Sequence, residues 1–162
     1  VPEGDNRLRG VCTDCGLIHY VNPRIIVGTI PVWEEQLLLC RRAIEPRSGF
    51  WTLPAGFMEL GESTQAGALR ETIEESGASA EVGDLFAVFD IPHAEQVHLF
   101  FRAQLRHPGL LPGPESLEAR LFHPQDIPWS DLAFRSVHRA LELFLSDRAA
   151  GLRRVHNESI VR

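Results

Sequence analysis

Residues 54–79 read PAGFMELGESTQAGALRETIEESGAS, a glycine loop running into a helix. Ser63 or Thr64 is suited to cap its start and Gly77 stands just past its end, so a helix is expected over Ser63 to Ser76. At about 100° per residue Ala66, Leu69 and Ile73 share one face, which is the expected core face. Glu71, Glu74 and Glu75 lie within an arc of about 100° opposite it. Like charges three and four residues apart cost a few tenths of a kcal/mol per pair, roughly, and carboxylates in a last turn oppose the helix dipole at about 0.3–1 kcal/mol each. Arg70 can offset one of them through Glu74. The remaining local cost would be removed by a divalent cation, for which oxygen ligands of this kind are suited. The preceding loop carries Glu59 and Glu62, so acidic groups from loop and helix can converge.

Working outward, RIIVGTIPVW (24–33) and QLLLCRRA (36–43) read as strands joined by a turn at Glu34-Glu35. GFWTLPAG (49–56) reads as a short strand entering the glycine loop. AEVGDLFAVFDIP and EQVHLFFRAQL are expected to pair antiparallel, HPGLLPGPES (107–116) is a Pro/Gly-rich loop, and LEARLFHP is a further strand. DLAFRSVHRALELFLSD (131–147) is an amphipathic helix. Strands mixed with two helices give an α+β class, arranged as an α/β/α sandwich. The expected division is a Cys-containing segment at 1–23, a catalytic domain at 24–150, and a polar, loosely held tail at 151–162.

With 162 residues, 44% hydrophobic and 23% charged, the chain is sized for one domain with a real core. A net charge of −6 argues against a general nucleic-acid binder. No apolar run approaches the roughly 18 residues of a membrane span, and a signal peptide is not expected. Three cysteines, two spaced Cys12-x-x-Cys15, do not form a disulfide framework, and a reducing cytoplasm is the expected compartment.

The stretch Gly56, five residues, Glu62, seven residues, Arg70-Glu71, Thr72, Ile73, Glu74-Glu75, Ser76, Gly77, Ala78 resembles the Nudix box, with all seven fixed residues present. Thr72 is the departure, standing where an aliphatic side chain is usual. The resemblance implies a mixed sheet between helices and hydrolysis of a nucleoside diphosphate linked to another moiety, using Mg²⁺ or Mn²⁺. It implies Glu71, Glu74 and Glu75 as metal ligands, with Glu74 and Glu75 also carrying the catalysis and the carbonyl of Ala55 joining the set. Glu62 and Arg70 would hold the loop to the helix, and Gly56 and Gly77 would occupy positions a side chain obstructs. A general base is sought in the segment after the long loop, at Glu118 or Glu115, with Glu118 preferred.

Arg42 and Arg24 are candidate diphosphate contacts, since a guanidinium offers planar paired donors. Arg41 is a weaker one. Phe57, Phe89 and Trp129 are candidate stacking partners for a base or flavin. The pattern CTDCGLIHYVNPR…LLLCRRAI…GFWTLPAGFMELGES…GPESLEARLF…IPWSDLAF resembles the subgroup with a zinc-ribbon-like N-terminus, which includes ADP-ribose and FAD pyrophosphatases. Pro92 fits ADP-ribose. VFDIPHAEQ (88–96) replaces the SQPWPFP-like stretch of the NADH-cleaving subgroup, and Tyr20, the only tyrosine, is far from the place expected for dinucleoside polyphosphates.

The expected substrate is therefore an ADP-containing small molecule, with nucleic acid and membrane excluded as partners and a homodimer admitted. Two alternatives stand beside it: a pyrophosphatase that sanitises the nucleoside triphosphate pool, and a non-catalytic nucleotide sensor, against which the full set of box carboxylates argues. Cys12, Cys15 and His19 fall short of the four ligands of a structural zinc site, so zinc is not expected in this chain. Cys40, in an apolar strand, is expected as buried packing.

Overall fold

The computed structural model describes residues 1–161. A small hairpin comes first, β1 (Gly10–Val11) against β2 (Ile18–His19), with Cys12 and Cys15 on its turn. The main sheet is built on β3 (Arg24–Trp33), which turns at Glu34-Glu35 into β4 (Gln36–Arg42). Two short strands follow, β5 (Trp51–Thr52) and β6 (Ala55–Phe57), and then α1 (Thr64–Ser76). The chain continues through β7 (Ala80–Ile91), β8 (Gln96–Leu105), β9 (Ser116–Phe122), α2 (Arg135–Ala150) and β10 (His156–Ser159).

The sheet runs β10-β7-β8-β3-β4-β5, with β6 on β3 and β9 on β4. It is mixed: β3 runs parallel to β8 and β10 parallel to β7, while β7 and β8 are antiparallel. The β3–β4 ladder is short, holding only at Val32↔Leu37 and Trp33↔Gln36. Beyond it the strands part. β3 takes β6 as its neighbour at Ile26–Gly28, and β4 takes β5 at Cys40 and Arg41. This fork is what opens the sheet for a cavity.

Strand alternation assigns the two layers. Val27 and Phe101 face α1 and pack with Ala68, whereas Ile30 and Phe100 face α2 and pack with Val137, Ala140, Leu141 and Phe144. The arrangement is the expected α/β/α sandwich. Within α1, however, the buried residues are Gly67, Ala68, Thr72, Glu75 and Ser76; Ala66 and Ile73 are exposed and Leu69 is only half-buried. The helix is thus rotated away from its apolar stripe. Small side chains let it approach the sheet closely, and the departure at Thr72 is part of that contact. Its hydroxyl bonds to the Ala68 carbonyl at 2.7 Å and to Thr29 Oγ1 at 2.6 Å across the helix–sheet interface. Turning this face inward also carries Glu75 inward.

The tail is a second correction. Residues 156–159 form β10, paired in register with Ala87–Asp90 of β7 rather than lying loose. Polar side chains hold it: Arg139 of α2 grips Glu158 with two bonds of 2.7 and 2.8 Å, and His156 and Arg154 both reach the fully buried Asp147, at 2.8 and 2.9 Å. A pattern search tuned to apolar periodicity passes over a strand held this way. Arg162, the last residue of the expected tail, lies outside the described residues. Among the described residues no helix is long and apolar enough to cross a membrane.

Candidate active site

The fork and the C-terminal half of α1 enclose a cavity of about 680 Å³. Its acidic wall is Glu71, Glu74 and Glu75 from α1 together with Glu115 from the loop before β9. Ala55, Gly56 and Phe57 of β6 and Arg42 of β4 line it as well. Glu75 is mostly buried and accepts the Ala55 N–H at 3.2 Å. Burial pushes its pKa up to about 8, against that hydrogen bond and reinforced by the neighbouring Glu71 charge. Burial raises the Glu71 carboxyl too, with Arg70 pulling the other way. Glu74 is 58% exposed at the rim.

Arg70 is the hub of the loop–helix junction. It bonds both oxygens of Glu62 at 2.8 and 3.1 Å, Glu71 at 2.7 Å, Glu74 at 3.1 Å and the Phe57 carbonyl at 3.1 Å. Glu62 in turn accepts the Glu59 N–H at 2.7 Å, and the Arg70 bond holds its carboxyl below the usual range. These bonds join the loop to the helix. At Gly56 a side chain would collide with the Glu71 carboxylate. Gly77 ends α1 in the left-handed conformation, φ 64°, its N–H closing on the Ile73 carbonyl.

The carboxylates gather at the end of a helix because the loop after β8 completes that end. Leu111 N–H donates to the Ser76 carbonyl at 2.8 Å and Gly113 N–H to the Glu75 carbonyl at 3.4 Å. A Cβ on Gly113 would overlap the Glu74 carbonyl, which fixes the loop's approach. Two residues on, the Glu115 carbonyl accepts Ala43 N–H at 2.8 Å, and this double anchorage aims Glu115 at the cavity. Glu118, the preferred base in the sequence reading, is instead in register with Arg41 within the β4–β9 ladder and does not line the cavity.

Three other expectations shift. Arg24 lies outside the cavity lining and stacks on Phe57, 5.0 Å from its ring centroid. Phe89 is fully buried in the core, edge-on to Phe100. Trp129 packs edge-on to His138 away from the lining. Arg42 does reach the site: its Nε donates to the Pro46 carbonyl at 2.8 Å, and its guanidinium lies 5.1 Å from the Phe134 ring centre. Arg41 is taken up by the Gly49 carbonyl at 2.9 Å. Cys40 is buried, as expected.

One polar group was missed by sequence reasoning. Gln96 and His98, two apart on β8, and Ser136, in the first turn of α2, line the cavity opposite the carboxylates as a hydrogen-bonded chain. His98 meets Ser136 Oγ at 3.1 Å and Gln96 Oε1 at 3.0 Å. Its Ser136 partner comes from α2, 38 residues along the chain, a juxtaposition that no local pattern announces.

As placed, no three Asp, Glu, His or Cys side chains among the described residues close around a single point; Glu71 and Glu74 are turned onto Arg70. The donor set nevertheless suits a hard divalent cation, being all oxygen, strongly negative and partly desolvated. At the N-terminal hairpin the backbone N–H groups of Cys15 and Asp14 lower the Cys12 thiol pKa, and both cysteines are free.

The family model described as NUDIX domain matches residues 22–142, and one described as Nudix N-terminal, a zinc-ribbon model, matches residues 1–21. The crystal structure of a NUDIX hydrolase from Nitrosomonas europaea superposes with a TM-score of 0.96 at 49% identity, covering all of this chain and 92% of that one. An ADP-ribose pyrophosphatase of Methanocaldococcus jannaschii is 28% identical over 113 residues, 67% of each chain. An NAD-capped RNA hydrolase NudC of Stutzerimonas stutzeri is 31% identical over 142 residues, 85% of this chain; the match spans 50% of that relative's length.

Proposed function

The chain belongs to the Nudix hydrolase family, and on that premise we propose that it cleaves the pyrophosphate bond of an ADP-containing nucleoside diphosphate derivative, of the ADP-ribose or FAD class, to AMP and a second phosphate. The observation that carries this reading is the meeting of Glu71, Glu74, Glu75, Glu115 and Arg42 on one cavity walled by a half-exposed phenylalanine, Phe57. Relatives that bear the ADP-ribose pyrophosphatase name support the substrate class.

Glu71, Glu74 and Glu75, with the Ala55 carbonyl, would hold Mg²⁺ or Mn²⁺. When bound there, the cation neutralises diphosphate charge and acidifies water. Arg42 presents its remaining N–H groups to a phosphate oxygen. Glu115 accepts the proton of the attacking water as the new P–O bond forms, and the bridging P–O bond breaks with its electron pair going to the departing phosphate. Arg70 bridges Glu71 and Glu74 through one nitrogen and offsets their mutual repulsion. At the N-terminal segment, residues 1–23, a zinc-free hairpin remains our expectation.

The test is a hydrolysis panel with Mg²⁺ over ADP-ribose, FAD, NADH, diadenosine polyphosphates and oxidised dGTP, with products separated by chromatography. ADP-ribose or FAD should be cut fastest, giving AMP. Glu75→Gln should lower turnover by about 10²-fold or more. The same variant should melt higher than wild type without metal, because it removes a carboxylate whose burial opposes its charge. A folded Glu75→Gln protein with undiminished turnover would take that carboxylate out of the mechanism.

A further inference from the structure

We propose that Gln96, held by His98 and Ser136, is the specificity-determining contact of the cavity, selecting an uncharged heterocycle that offers a hydrogen-bond acceptor on its edge. Calling that heterocycle the substrate's base rests on the pyrophosphatase reading above. The binding site itself does not.

The direction of every hydrogen bond in the chain follows from one atom. Gln96 Oε1 can only accept, so His98 Nε2 carries the ring proton. A neutral imidazole then has an unprotonated Nδ1, which accepts the Ser136 hydroxyl proton. His98 is 8% exposed, and burial pushes its pKa down to about 4, so the ring is neutral at working pH. With its oxygen committed, Gln96 has its NH₂ group left over. Among the described residues that group has no partner, and Gln96 is half-buried on the cavity wall. The carboxamide therefore presents two free donors to the cavity, while its oxygen is held by His98 and keeps a single lone pair beside that ring.

Charge separates this wall from the other. The charged residues of the lining, Glu59, Glu71, Glu74, Glu75 and Glu115 with Arg42 and Arg70, come from β4, the box and the loop before β9, and β8 contributes no charged side chain to it. A phosphate gains little from a neutral amide, whereas a ring nitrogen or carbonyl gains a bond that water must otherwise provide. The sheet also supplies the platform. His98, Ile26 and Phe57 are in register across three strands, all on the cavity face. At one strand spacing each, Phe57 stands about 10 Å from His98. A ring stacked on Phe57 would share the sheet face with Gln96, whose strand partner Arg24 holds its guanidinium 5.0 Å from the Phe57 ring centre. A ligand edge bearing a donor in that place leaves two donors facing one another, a mismatch of about tenfold or more.

The experiment is calorimetric titration of the full chain with AMP and with ribose 5-phosphate, which keeps the sugar and phosphate and lacks the base. Wild type should bind AMP at least tenfold tighter. Gln96→Glu keeps the acceptor for His98 and has no donors; Gln96→Met keeps the bulk alone. Each should cut the AMP to ribose 5-phosphate ratio by about tenfold, and the uncharged Gln96→Met should leave ribose 5-phosphate affinity unchanged, with thermal melting verifying the fold. An unchanged ratio in both variants, or a wild type with no preference for AMP, overturns the proposal. Base-selective binding by a chain that hydrolyses nothing in the panel would refute only the pyrophosphatase reading. Hydrolysis with an unaltered ratio would refute only the role of Gln96.

Discussion

Replacing Arg70 by lysine keeps the positive charge and removes the fork, which separates geometry from electrostatics at the junction of loop and helix. The guanidinium makes five hydrogen bonds: two to Glu62, one each to Glu71 and Glu74, and one to the Phe57 carbonyl. An ammonium has three donors on one nitrogen and cannot face Glu62 and Glu71 while also reaching Phe57, so at least two bonds are lost. Bonds to charged groups contribute about 1.5–3 kcal/mol when shielded. Arg70 is 23% exposed and Glu62 and Glu71 are 15% and 13% exposed, so the low end applies. The expected loss is roughly 2–3 kcal/mol, a fall in Tm of about 5–10 °C for a chain of this size. Urea unfolding followed by tryptophan fluorescence measures it. Arg153→Lys is the control, because its pair with Asp84 is 70% and 69% exposed and should cost less than about 0.5 kcal/mol. If Arg70→Lys falls within that control's range, the hub is not holding the box together and the reasoning fails.

Ending the chain after Gly151 removes β10 and strips Arg154 and His156 from Asp147, a carboxylate fully buried in the intact chain, leaving Arg102 at 3.8 Å as its nearest cation. Thermal melting should show a loss of about 1–3 kcal/mol, part of it recovered by adding Asp147→Asn; a truncated chain as stable as the whole would contradict the anchorage. His98 titrates with a folded pKa lowered from 6.5 to about 4 by burial. Its stabilising contribution is therefore complete above pH 6.5 and is lost as pH falls toward 4, by up to about 3 kcal/mol. Urea midpoints between pH 4 and 8 should be flatter for His98→Gln than for wild type, and parallel curves would remove His98 from the acid sensitivity.

The box was legible because its residues are contiguous. Capping at Ser63 and Gly77, the hairpin at Glu34-Glu35 and the antiparallel β7–β8 pair all follow from local signals of spacing, turn chemistry and alternation. Ala66 and Ile73 misled, since periodicity finds an apolar stripe and cannot tell that small residues at 67, 68, 72 and 76 make the closer contact with the sheet. The choice between Glu115 and Glu118 turns on where a ladder begins: Glu118 is inside β9, and Glu115 sits just before it, where the loop is tied to Glu75, Ser76 and Ala43. Phe89 and Phe57 look alike in a sequence, and only the fold buries one and leaves the other half-exposed. The Gln96–His98–Ser136 chain needed the packing of α2 against β8 to exist at all.

The tie between the Pro/Gly loop and the end of α1 limits how this scaffold can diversify. Its second half, from Leu111 to Glu115, is pinned at both ends and tolerates little change in length. Among the described residues, 107–110 carry no such backbone tether to the helix, and none of them lines the cavity, so insertions there lengthen the connection while the acidic wall stays in place.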